Sequence, residues 1–204
     1  MARKTKDEAE KTRNAILDAA ERVFYANGVT RTSLEQIAEA AGVTRGAVYW
    51  HFNDKTELCT AMMMRVFLPH EDMLAELAAS PSAAPLADLK KSCLHALKLM
   101  STDKRRQDVC SIMFLRCEYT EGMASIMDRR TECKNRMLAS SEKLLTLARK
   151  QKALAAHWSP RKAAVALQAL MTGLIIGALE QRDGFDLATT GAACVEAFFK
   201  SLKP

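Results

Sequence analysis

Several kinds of chemistry are missing from this 204-residue chain. Its eight glycines form no glycine-rich phosphate loop. Its six cysteines, at positions 59, 93, 110, 117, 133 and 194, show no metal-type C-x-x-C spacing. They are expected to be free thiols that pack as small apolar residues, and no metal site is expected. The four histidines are His51, His70, His95 and His157, and the last three stand isolated. No Ser–His–Asp arrangement is visible, so no catalytic residue, enzyme activity or cofactor is expected. No apolar run reads as long enough to cross a bilayer, and the start, Arg3-Lys4-Thr5-Lys6-Asp7-Glu8, is too polar for a secretory leader. A cytoplasmic protein is the expectation. There is no strand pattern and no internal repeat.

Charge alone is uninformative. The net charge is +6, yet residues 1–60 hold nine Lys or Arg and nine Asp or Glu. The basic run from Arg129 to Lys152 reads as a solvated helix face. Placement says more: Arg3, Lys4 and Lys6 form a basic arm, and Arg45 and Lys55 bracket one short helix.

That helix belongs to residues 33–52, which read as a helix-turn-helix, a shape that fits a duplex major groove. Ser33 caps the first helix, and Gln36 completes a capping box. Leu34, Ile37, Ala38 and Ala41 share one face, which must be buried. Gly42 ends the helix where a left-handed residue is needed. Thr44 caps the second helix, while Val48 and Phe52 turn inward. The outward set is then Arg45, Gly46, Ala47, Tyr49, Trp50 and His51. Arg45 can donate two hydrogen bonds to guanine O6 and N7. Thr44 suits a base or a phosphate, as does Ser33 beside the first helix. Gly46 and Ala47 allow close approach. Tyr49 and His51 suit phosphates, and Lys55 is placed for a backbone contact. Double-stranded DNA is the expected partner.

From Thr12 to Leu58 the chain resembles the TetR family of transcriptional regulators. The stretches that carry the likeness are Thr12-Arg-Asn-Ala-Ile-Leu-Asp-Ala-Ala20, Phe24-Tyr-Ala-Asn-Gly-Val29 and Gly46-Ala-Val-Tyr-Trp-His-Phe-Asn-Asp-Lys55. The basic start and Arg116-Cys-Glu-Tyr119 are similar to the AcrR/TtgR group, local repressors of multidrug efflux pumps. The resemblance implies an all-α, nine-helix architecture. Residues 1–55 would form a helix-turn-helix domain and residues 56–204 a ligand-binding and dimerisation domain. It also implies an apolar pocket for lipophilic or cationic small molecules. The candidate lining is Val66, Leu89, Cys93, Ala96, Cys110, Met113, Phe114, Cys117, Gln168 and Met171, with Glu118 and Thr172 as further polar groups. Cys110 and Phe114 stand where the TtgR-like regulator has Asn and His, which implies a more apolar pocket here.

The periodicity is helical throughout. The expected helices are Asp7–Asn27, the pair above, one from Asp54 that kinks or restarts at Pro69, one from Leu86 to Met100, then 104–119, 123–152, one opening at Ser159-Pro160, and 186–202. Gly122 and Gly184 act as breakers. Methionines and cysteines concentrate in the middle helices, which suits an adaptable apolar lining or an ordinary core. Val165, Leu170, Leu174, Ile175, Leu179, Val195, Phe198 and Phe199 give more apolar surface than one small core requires, so a homodimer is expected through them. Gly173 and Gly177 would let helices approach closely. A twofold dimer presents two reading heads to a palindromic operator. Ligand binding would then shift the helix carrying Pro69 and spoil the half-site match.

Three other readings stay open on sequence alone. A thiol redox sensor would use Cys110 and Cys117 with a partner such as Cys93. An enzyme lacks any supporting constellation. A nucleoid-type binder would show little sequence preference.

Overall fold

A computed structural model describes residues 6–117, 123–180 and 184–204, and every regular element among them is helical. The helices are α1 (Lys6–Asn27), α2 (Leu34–Ala41), α3 (Arg45–His51), α4 (Lys55–Ala79), α5 (Pro85–Thr102), α6 (Lys104–Leu115), α7 (Ala124–Lys150), α8 (Pro160–Glu180) and α9 (Ala192–Ser201). Lys4 and Glu118 lie outside the described residues, as does the expected break at Gly122, while the sixth helix, expected to reach Tyr119, already ends at Leu115.

The chain folds into two compact units: residues 1–66 with 108–129, and residues 67–107 with 130–204. In the first, α1 packs on α2 and α3. The stripe Ile16, Leu17, Ala20 and Phe24 of α1 is fully buried, as are Ile37 of α2 and Val48 of α3. Phe52, Leu58, Met62, Ile112 and Met113 complete this core. Arg65 on α4 pairs with Asp18 at 2.9 Å and with Glu21 at 3.4 Å on α1.

In the second unit α5, α8, α9 and a π-helical turn, Leu187–Gly191, pack together. Leu89, Leu97, Leu144, Leu145, Ala163, Leu167, Val195 and Phe199 are buried there. A Schellman arrangement closes α7. Lys152 takes the left-handed conformation (φ 59°) while Ala153 N donates to the Ala148 carbonyl and Lys152 N to that of Arg149. Arg149 in turn donates to the carbonyls of Ala155 and Trp158.

Four expectations are corrected. Pro69 neither ends nor restarts α4, which runs unbroken through it. A helix of 25 residues loses only one backbone bond there and keeps the others. The last helix does not begin regularly at Asp186. That residue caps the π turn, accepting from Thr189 N at 2.9 Å, and α9 follows it. An apolar run of membrane-spanning length does exist: α8 has a mean hydropathy of 1.7 over its most apolar 18 residues, of which only 17 % are buried. Finally, Val195 and Phe199 are 0 % and 2 % exposed within the protomer, so they form core rather than outer surface.

Candidate nucleic-acid interface

Local rules build the reading head. Ser33 Oγ accepts from Gln36 N at 3.2 Å, while Gln36 Oε1 accepts from Ser33 N at 2.8 Å. This reciprocal box fixes where α2 begins. Gly42, at φ 66°, closes α2 with the same pair of bonds that closes α7: Val43 N to the Ala38 carbonyl and Gly42 N to that of Glu39. Two residues later Thr44 Oγ1 accepts from Ala47 N at 3.2 Å and starts α3. Asp54 caps α4 in the same way, accepting from Glu57 N at 2.7 Å.

With Val48 and Phe52 anchored in the core, the opposite side of α3 is left open. Trp50 is 72 % exposed and Tyr49 44 %. Ser33, Thr44, Arg45 and Gly46 are exposed, and Ala47 and His51 half-buried. Trp50 and His51 meet edge to face, with centroids 4.5 Å apart. Large aromatic side chains are seldom left in water on a short helix without a partner to meet. Arg45 Nη1 pairs with Glu35 at 2.8 Å, and its guanidinium lies 5.3 Å from the Tyr49 ring centroid.

Lys55 is arranged differently from the expectation. Its ammonium donates to the Thr30 carbonyl at 3.0 Å and the Thr32 carbonyl at 2.9 Å, so two of its three N–H groups hold the loop between α1 and α2. Sequence reasoning also missed three arginines that brace the head. Arg13 stacks over Phe52 at 5.1 Å. Arg22 donates to the Ala40 carbonyl at 3.1 Å. Arg116 donates to the Tyr25 carbonyl at 2.9 Å. Nothing local signals these contacts, because the partners lie 18 to 91 residues apart.

The candidate ligand residues divide between the two units. In the first, Val66, Cys110 and Met113 are buried, and Phe114 and Cys117 half-buried. Met113 Sδ lies 3.9 Å from Cys59 Sγ. Cys117 borders a cleft with Asn27, Gly28, Arg31, Gln36, Leu115 and Arg116. In the second, Leu89, Cys93 and Ala96 lie on α5, which packs against α8, the helix that carries Gln168, Met171 and Thr172. Leu89 and Cys93 are buried, and Gln168 donates to the Lys134 carbonyl at 2.9 Å.

All six cysteines are free thiols, four of them buried. Burial pushes Cys59 and Cys93 up to about 12, where the nucleophilic thiolate is scarce. The thiol-switch alternative draws no support from this arrangement. Among the described residues no group of His, Cys, Asp or Glu has the makings of a metal site.

On α8, Val165 is 48 % exposed. Leu170, Leu174, Ile175 and Leu179 are half-buried, as is Phe198, whose ring meets Trp158 at 5.7 Å. A Cβ on Gly173 would meet open space, whereas one on Gly177 would sit 3.4 Å from Phe185 of the same chain. Only the first of the two glycines is therefore available to a second helix.

A capped helix pair offering arginine and aromatic residues on one open face defines a helix-turn-helix DNA-binding protein. Residues 16–62 match the family model for bacterial regulatory proteins of the tetR family, and residues 84–204 match the C-terminal region of MAATS-type transcriptional repressors. The chain belongs to the TetR family of transcriptional regulators. It is 40 % identical over 201 residues to the transcriptional repressor BepR of Brucella suis, covering 98 % of this chain and 96 % of that one. The crystal structure of NalD, the secondary repressor of the MexAB-OprM multidrug efflux pump in Pseudomonas aeruginosa, is 38 % identical. It superposes with a TM-score of 0.87, covering 96 % of this chain and 97 % of NalD. A complex of SmeT with triclosan is 32 % identical with a TM-score of 0.88, covering 95 % and 92 %. SmeT is the repressor of the SmeDEF multidrug efflux pump of Stenotrophomonas maltophilia. The all-α fold and the family expected from sequence are both borne out.

Proposed function

We propose that this protein is a cytoplasmic, homodimeric repressor of a multidrug efflux operon, and that a lipophilic or cationic small molecule releases it from a palindromic operator. The observation that carries the DNA-binding part is the open face of α3, where Trp50 and Tyr49 stand in solvent beside Arg45. Thr44, Arg45, Gly46, Ala47 and Tyr49 meet base edges and phosphates. Ser33, Trp50, His51 and the remaining N–H of Lys55 meet the flanking backbone, with Lys4 in the basic arm. The efflux assignment is supported by near full-length similarity to NalD and SmeT, both repressors of multidrug efflux pumps, and the ligand arm by SmeT holding triclosan.

The partly exposed apolar face of α8, from Val165 through Leu170, Leu174 and Ile175 to Leu179, takes a second copy. Phe198 flanks this face, and Val195 and Phe199 support it from within the core. A buried twofold contact explains a helix of such hydropathy without a membrane. Release works through α4. The division between the two units falls between Val66 and Phe67, within a turn of Pro69, whose missing N–H leaves the Arg65 carbonyl without its helical donor. A coupling free energy of about 1–3 kcal/mol is enough to change operator affinity roughly 5- to 150-fold.

Footprinting on DNA that flanks its own gene, titrated with triclosan and with a lipophilic cationic dye, tests this reading. A twofold-symmetric protected site that disappears on addition of either compound is the expected result. Protection without symmetry rejects the dimeric operator, and protection that neither compound lifts rejects the ligand arm.

A further inference from the structure

Glu35 stands in the first turn of α2, beside the arginine that the proposed function assigns to base reading. Its Oε1 pairs with Arg45 Nη1 at 2.8 Å. Arg45 Nη2 meets the Tyr49 hydroxyl at 3.4 Å. The two ends of one guanidinium fork are thus held by groups from two helices, α2 and α3. All three side chains are open to solvent: those of Arg45 and Glu35 are 62 % and 50 % exposed, and Tyr49 is 44 % exposed. The Glu35 carboxyl ionises more readily than an ordinary glutamate. A hydrogen bond from backbone lowers its pKa, as do the neighbouring Arg45 charge and Ser33.

An exposed ion pair of this kind adds little to folding stability. Its effect is on where the fork points. An untethered arginine on a reading helix samples many rotamers, and any phosphate satisfies it equally well. A carboxylate at the edge of the groove changes both terms. It restrains the fork to the outward face of α3, leaving Nε and the second hydrogens of Nη1 and Nη2 for acceptors in front. It also repels phosphates and partly neutralises the arginine, so a non-specific backbone contact gains less. A guanine edge, which offers O6 and N7 side by side, is the acceptor pair that suits what remains of the fork.

We infer that Glu35 is a specificity-determining positioning residue: it orients Arg45 for one base pair and suppresses binding to non-operator DNA. The inference rests on Arg45 reading a base. Glu35 need not touch the DNA.

The test uses the full-length protein and a randomised duplex pool, sequenced after selection, so that no operator has to be known in advance. Arg45→Ala should flatten the preference at one base pair per half-site. Glu35→Gln should flatten the same base pair, by about tenfold, within the range of a single bidentate base contact. The double variant should be no flatter than Arg45→Ala alone. Binding of Glu35→Gln to bulk DNA should tighten, with a salt dependence steeper by about one counterion. Its urea unfolding midpoint should match that of the parent, which separates orientation from a folding defect. If Arg45→Ala flattens no position, the base-reading role and this inference fall together. If Arg45→Ala flattens one and Glu35→Gln flattens none, or a different one, Arg45 stands as a reader and the role given to Glu35 is overturned.

Discussion

Arg116, just beyond the end of α6, lies with its guanidinium 4.6 Å from the centroid of the Tyr25 ring on α1, and its Nη1 donates to the carbonyl of the same tyrosine at 2.9 Å. Its own carbonyl lies where a side chain on Gly28 would reach, 3.4 Å from an added Cβ. One residue thus closes the C-terminal end of α1, where a cation complements the helix dipole, and ties α6 to the helix on which the reading head packs.

Arg116→Ala should therefore weaken the first unit. A charge-assisted bond and a cation–π contact, both weakened by solvent exposure, together contribute about 1–2 kcal/mol. For a chain of this size that corresponds to a fall of roughly 2–8 °C in the melting midpoint. Arg116→Lys should recover only part of it, because an ammonium lacks the planar stack. Thermal unfolding followed by circular dichroism reads both. A melting curve for Arg116→Ala that overlays the parent would show that the contact contributes nothing to stability.

The reading head was legible in the sequence because its determinants are local. The caps at Ser33, Thr44 and Asp54 and the stop at Gly42 all act across three to five residues, and each is found where the pattern puts it. Lys55 was not legible. Its partners are the carbonyls of Thr30 and Thr32, more than twenty residues earlier, and an ammonium near a helix start looks the same whether it faces phosphate or its own chain. The apolar positions at the C-terminus show another limit. Val165 and Val195 carry the same side chain and similar periodicity, yet one is 48 % exposed and the other 0 %. Periodicity shows that a face is apolar; only the packed fold decides whether it meets the protomer's own core or is left for a partner. Pro69 shows the opposite error. A strong local breaker removes a single backbone bond, and a helix as long as α4 continues through it on the rest.

The two Schellman closures make a matched pair of predictions with opposite signs. Gly42 sits at φ 66° with nothing within 4 Å of an added Cβ, so Gly42→Ala meets no clash and only the left-handed backbone penalty, about 1 kcal/mol. Lys152 occupies the equivalent position at φ 59° with a side chain already present. Lys152→Gly should relieve a similar strain, partly offset by the greater freedom of glycine in the unfolded chain. Urea titrations should place the midpoint of Gly42→Ala below the parent and that of Lys152→Gly at or slightly above it. A large loss at Lys152→Gly would mean that the lysine side chain, not the backbone, holds the end of α7.

Alkaline pH should destabilise the protein through its buried thiols. Burial raises Cys59 and Cys93 from an ordinary value near 9.0 up to about 12. Below pH 9 both folded and unfolded chains keep these protons, and the full stability is present. Between pH 9 and 12 the unfolded chain ionises while the folded one does not, so stability falls with rising pH, by at most about 1.4 kcal/mol per unit for each thiol. Comparing urea midpoints at pH 8 and pH 10 for the parent and for Cys59→Ala isolates one contribution. The variant should lose less between the two pH values, whatever its starting stability. Equal losses would place an ionisable Cys59 within reach of water.

Acid should act on the second unit through His70, one residue beyond Pro69 on α4. Its Nδ1 is buried without a hydrogen-bond partner. Burial, helped by the nearby charges of Arg106 and His95, lowers its pKa from 6.5 to about 4. The unfolded chain therefore takes up a proton first. Stability is complete above pH 6.5 and is lost as pH falls toward 4, by at most about 3 kcal/mol over that window. His70→Leu removes both the titration and the unpaired nitrogen. Replacing a buried polar group that lacks a partner by an apolar one of similar size is close to neutral or stabilising, so the variant should match or exceed the parent at pH 7.5. At pH 5 it should be clearly the more stable of the two. Urea unfolding at both pH values decides the matter: if the gap between parent and variant is the same at pH 5 as at pH 7.5, His70 takes up its proton as readily in the folded protein as in the unfolded chain, and the acid sensitivity has another source.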